Sequence, residues 1–128
     1  MVKNISRPML MLCSKENTLE KEYKLLQNVG LFKPDTPVKD IRILDEISGY
    51  GLLIIGYSKN FGIKNLRKII DSARVNNIPI LLYANGITLE HKIYDEVVNS
   101  YTYISICNTP IRLISDVFAV MSSFKSCK

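Results

Sequence analysis

Short, wholly apolar runs alternate along this chain with segments in which apolar residues recur every three or four positions. The first run covers residues 8–13 (PMLMLC), and a helical pattern follows over residues 15–30. There Asn17 is a cap candidate with Glu20 three positions on, as in a capping box. Leu19, Tyr23, Leu26 and Val29 share one face, and Gly30 stops the helix. A brief second strand is expected at residues 31–33. A helix is expected over residues 34–49, with Thr36 as cap and Pro37 in its first position. Val38, Ile41, Leu44 and Ile47 form its apolar side, and Gly49 closes it; a strand over residues 41–44 is the competing reading.

The third run, GLLIIGY over residues 51–57, is continuously apolar, as suits a parallel strand covered on both faces. A helix over residues 63–77 turns Leu66, Ile69, Ile70 and Ala73 inward. The fourth strand spans residues 78–84 and ends in a turn at Asn85 and Gly86. Thr88 caps a helix over residues 89–100 whose inner face is Leu89, Ile93 and Val97. The fifth strand spans residues 101–107, and the last helix covers residues 111–124 with Ile111, Ile114, Val117, Phe118 and Met121 inward. Such alternation implies right-handed crossovers. The expected fold is α/β: one three-layer domain over residues 1–128, with a five-stranded parallel sheet ordered 2-1-3-4-5 and a tail or linker from residue 122.

Composition narrows the picture. Hydrophobic residues make up 47% of the chain, enough for a real core. No apolar run approaches the roughly 20 residues of a membrane span. The apolar stretch at the start is too short for a signal-peptide core, so a cytoplasmic protein is expected. Cys13, Cys107 and Cys127 have no C-x-x-C spacing and, with the single His91, make no zinc site. The net charge of +5 is spread along the chain, and its densest cluster, residues 64–68, reads as a solvated helix face or a weak phosphate or acidic-partner contact. No G-x-G-x-x-G or P-loop motif occurs, and His91 lies on a helix away from the strand ends, so an enzyme is not expected. No cofactor and no metal are expected.

In a sheet of this order, sites form where the strands end, near the first and third strands. The residues there are Cys13 to Glu16, Gly56 to Asn60, Ala84 with Asn85, and Asn108 to Pro110. The runs YGLLIIG, NIPILLYAN and YISICNTP, in this order and spacing, resemble the receiver domain of bacterial two-component response regulators, a flavodoxin-like fold, over nearly the whole chain. The resemblance implies that Gly56 stands at the phosphoacceptor position. Cys13 and Ser14 stand where the family carries two metal-binding carboxylates. Thr109, Ala84 and Ile106 stand at the positions of its lysine, its switch threonine and its switch aromatic. Magnesium requires hard oxygen ligands, and phosphoryl transfer requires an acceptor with neutralised charge. The resemblance therefore implies a degenerate receiver that is not phosphorylated on aspartate.

The function expected is a regulatory module acting by protein contact and homodimerisation, such as the regulatory part of a transcription regulator. DNA binding would need a further domain. By the same resemblance, a dimer face would use Lys92, Glu96, Tyr101, Tyr103, Arg112 and Asp116. The rival reading is a small-ligand sensor, for a nucleotide or metabolite, with a strand-end crevice lined by Cys13, Ser14, Gly56, Ser58, Ala84 and Thr109. The loop GYSKNFG could also bind an anion through backbone amides, with Ser58, Lys59 and Asn60 helping, or serve as a plain strand-to-helix turn.

Overall fold

Four runs of apolar sequence come together as adjacent parallel strands. The computed structural model describes residues 8–15, 17–30, 33–58, 61–84, 92–93, 95–96, 104–107 and 109–123. Strand β1 (Pro8–Leu12) pairs with β3 (Leu52–Gly56), which pairs with β4 (Ile80–Tyr83), which pairs with β5 (Ile104–Cys107). A two-residue strand, β2 (Lys33–Pro34), lies on the other side of β1, so the hydrogen-bonded order is β2-β1-β3-β4-β5. The expected α/β class, a parallel sheet with helices, is present.

Alternation along the strands builds two cores. Leu10, Leu12, Leu53, Ile55, Ile80 and Leu82 face one side, where they meet Leu66, Ile69, Ile70 and Ala73 of helix α2 (Ile63–Val75). Met9, Met11, Leu52, Ile54, Leu81 and Tyr83 face the other. They meet Leu26 of helix α1 (Glu20–Val29) and Leu113, Val117 and Met121 of helix α3 (Pro110–Ser123). Every residue of β3 is buried, because helices cover both of its faces. The inward face of α2 is the one the periodicity predicts. In α3, Val117 and Met121 are buried as predicted, but Phe118 is 41% exposed and Leu113 takes a core position instead. Residues 92, 93, 95 and 96 are helical, with Ile93 buried; Thr88, Leu89, His91 and Val97 lie outside the described residues.

The segment between β2 and β3 departs from expectation. Val38 is extended: its N–H donates to the Met11 carbonyl, and its carbonyl accepts from the Cys13 N–H. It forms an isolated parallel bridge with Leu12. A helix cannot begin at Pro37 while Val38 is spent on the sheet edge. The helical part shrinks to a 3-10 turn over Ile41–Glu46, capped by the Asp40 carboxylate, which accepts from the Arg42 N–H. The repeat of Ile41, Leu44 and Ile47 is three residues, the 3-10 period rather than the α period. The strand expected at residues 31–33 is placed at Lys33–Pro34, where an edge position tolerates proline.

Helix α1 also starts later than predicted. Its cap is Leu19, in the left-handed region at φ 62°, and no side chain caps it. Asn17 is used elsewhere.

Candidate functional site

The carboxyl ends of β1 and β3 are bridged by a tight turn. The Ser14 N–H donates to the Asn17 carbonyl at 3.0 Å, and the Asn17 N–H donates back to Ser14 at 3.2 Å. The turn folds over Gly56. The Ser14 hydroxyl donates to the Gly56 carbonyl at 2.8 Å. The Asn17 side chain, 4% exposed, sends its amide to the carbonyls of Tyr57 and Tyr83, each at 3.0 Å. One side chain thus ties the first loop to the ends of both β3 and β4. The capping box predicted from Asn17 and Glu20 is not formed, because the buried carbonyls take the Asn17 amide.

This turn explains Gly56. A Cβ added there would stand 2.7 Å from the Asn17 carbonyl oxygen, 3.0 Å from Leu19 Cγ and 3.2 Å from Leu19 Cδ1. The first contact is with backbone, so it cannot be relieved by a rotamer change. Leu19 is wholly buried on this spot, and burial of its side chain, roughly 1.5–3 kcal/mol, offsets the strain of its positive φ. The position that the resemblance assigns to an acceptor is filled by the chain itself. The signal was present in the sequence: a glycine ending a buried strand marks close approach of another backbone.

Tyr83, the β4 residue in register with Gly56, is fully buried and donates its hydroxyl to Glu22 of α1 at 2.9 Å. Glu22 is itself buried. The predicted apolar face of α1 therefore contains a carboxylate that periodicity alone did not reveal.

Of the six crevice residues, Cys13, Ser14 and Ser58 line one cavity of about 250 Å³, together with Lys15, Lys39, Phe61 and Asn65. Gly56 lies under the Asn17 turn, Ala84 is buried, and Thr109 is exposed. Lys39 reaches this place because Val38 pairs with the edge of β1. Burial pushes the Cys13 thiol up from its ordinary value, although the charge of Lys39 pulls it down. Lys59 and Asn60 lie outside the described residues. Among the described residues, no three His, Cys, Asp or Glu side chains gather in a way that could hold a metal ion.

The residues expected at a dimer face divide. Lys92 and Arg112 are exposed. Glu96 pairs within the chain with Arg67 at 3.2 Å, and Asp116 lies 4.0 Å from Arg112. Tyr101 and Tyr103 lie outside the described residues. Among the described residues, no helix is long and apolar enough to cross a membrane.

Fold and site together define an open parallel α/β sheet with a filled strand end. No protein-family model matches the sequence, and no curated protein matches it. Among solved structures, the chain is similar in fold to a Burkholderia pseudomallei protein described as a "putative pilus assembly-related protein". The TM-score is 0.72 at 12% identity, over 100% of this chain and 98% of that one. At this identity the likeness is one of fold.

Proposed function

We propose that the chain is a receiver-like regulatory module that works by protein contact, as a homodimer or with a protein partner, without aspartyl phosphorylation. The observation that carries this reading is the closure of Gly56 by the Asn17 carbonyl at 2.7 Å from any added Cβ. A site that cannot hold a side chain cannot present an acceptor, and phosphoryl transfer depends on positioning one. The parallel sheet and its helices are compatible with the receiver fold. The exposed charges Lys92 and Arg112 suit a contact whose electrostatics select geometry more than strength. The proposal places the module in the cytoplasm, with any DNA binding left to a further domain. The description of the structural neighbour adds pilus-assembly proteins to the partners worth testing.

The test is incubation with acetyl phosphate and magnesium followed by intact mass, beside light scattering over a range of concentrations. The expected results are no phosphoryl adduct and a mass that rises toward the dimer with concentration. A magnesium-dependent adduct would overturn the phosphorylation-independent reading. A strict monomer at high concentration would remove the homodimer.

A further inference from the structure

The 250 Å³ cavity beside Cys13 has a chemistry that the contact reading does not use. Two lysines, Lys15 and Lys39, stand in its wall, and among the described residues no acidic side chain lines it. Phe61 and Asn65 bring the start of α2 to the same wall. That helix has no side-chain cap, no acidic residue in its first turn, and Gly62 at φ 89° before it. Its positive end therefore lies beside the cavity without a compensating carboxylate in its first turn.

A second observation is independent of the helix. Ser58 lines the cavity and is 1% exposed, yet its hydroxyl has no hydrogen-bond partner among the described residues. A buried hydroxyl left unpaired is costly and calls for an explanation such as a missing ligand. The Asn65 amide donates to the Phe61 carbonyl, and the Ser14 hydroxyl donates to Gly56. Ser58 is thus the wall hydroxyl whose hydrogen-bonding capacity is unspent.

We propose that this cavity binds the phosphate group of a small molecule, or free phosphate, between Lys15, Lys39, Ser58 and the first turn of α2. The volume sets the scale: sites for drug-sized ligands run to roughly 300–1,000 Å³, so this one takes a small anion or the head of a larger molecule. The site is separate from the closed position at Gly56, and the inference stands or falls independently of the protein-contact reading.

The experiment is an amide-resolved NMR titration of the full chain with inorganic phosphate at constant ionic strength, repeated with glycerol 3-phosphate. Saturable shifts at Ser14, Lys39, Ser58 and Asn65 are expected. Tighter binding of the ester marks a metabolite's phosphate group as the natural guest; equal binding marks the free ion. Ser58→Ala should weaken binding roughly five- to tenfold while leaving the melting temperature unchanged or higher, since it removes an unpaired buried hydroxyl. Lys15→Gln with Lys39→Gln should weaken it by at least a similar factor, and strong salt dependence should be lost. Linear, unsaturable shifts with both probes would overturn the proposal, and so would affinities unmoved by these substitutions.

Discussion

Asn17 is the side chain on which the closure of the strand ends most depends, and its replacement separates the geometry from its alternatives. Asn17→Ala removes two hydrogen bonds, to the carbonyls of Tyr57 and Tyr83. Tyr83 keeps the bond its carbonyl accepts from the Tyr57 N–H. Each lost bond is worth about 0.5–1.5 kcal/mol net, and the missing amide leaves a small void. The total expected is about 2–3 kcal/mol. For 128 residues the unfolding entropy sets about 4 °C per kcal/mol, so the melting temperature should fall by about 7–11 °C. Asn17→Asp keeps the volume but replaces the donor with oxygen facing two carbonyl oxygens, at a position only 4% exposed. It should cost more than alanine at neutral pH. Burial raises the folded-state pKa of the introduced carboxyl, so the folded protein binds the proton more tightly than the unfolded one. The extra cost is then absent below the unfolded value of about 3.9 and grows as pH rises, by at most about 1.4 kcal/mol per pH unit. Urea denaturation followed by circular dichroism, at pH 5 and pH 7.5, reads both effects. Both variants lying within about 0.5 kcal/mol of the parent, the range of ordinary surface substitutions, would refute the tie. So would an aspartate variant more stable than the alanine one at pH 7.5.

Other outcomes follow from the same structure. Tyr83→Phe leaves the buried Glu22 without the hydroxyl that donates to it and should cost about 1.5–3 kcal/mol in urea unfolding; replacing Glu22 and Tyr83 together with apolar residues should recover part of that loss. The Tyr50 phenol is pushed up to about 12, first by burial and then by its 2.6 Å hydrogen bond to Asp35. Its contribution to stability is present below the unfolded value near 10 and is lost as pH rises through 12; ultraviolet titration of the Asp35→Asn variant should show this tyrosine ionising at lower pH. Asp40, held down to about 2 by Arg42, should show a carboxyl resonance unchanged between pH 7 and pH 4, and Arg42→Ala should return its titration toward the usual carboxylate range.

The strands and the helix over residues 63–75 were legible because burial on both faces leaves a continuous apolar signature and a long amphipathic period. The segment after β2 was not, because a three-residue spacing fits α and 3-10 geometry almost equally, and an edge bridge at Val38 is a tertiary event. Asn17 departs from the expected cap for a related reason. An Asn before a helix is usually its cap, but here two carbonyls at the ends of distant strands, brought together only by the sheet, hold its amide. Phe118 matched the helical period of the last helix, yet Leu113 holds the core position. At the strand ends, three of the six residues expected together, Cys13, Ser14 and Ser58, line one cavity, and Gly56, Ala84 and Thr109 do not. The sequence shows that Gly56 lacks a side chain, but not that the space beside it is already filled, or that Lys39 joins Cys13 and Ser58.

The central claim is that no room exists beside Gly56 for any side chain. Gly56 is not among the residues with positive φ, so alanine there is free of backbone strain and would ordinarily stabilise by about 0.4–1 kcal/mol. The measurement is the urea unfolding free energy of Gly56→Ala. The account predicts a loss of about 1–3 kcal/mol, the range for overpacking a tight site, because the Asn17 carbonyl cannot move without breaking its turn. An alanine variant as stable as the parent, or more so, would contradict it.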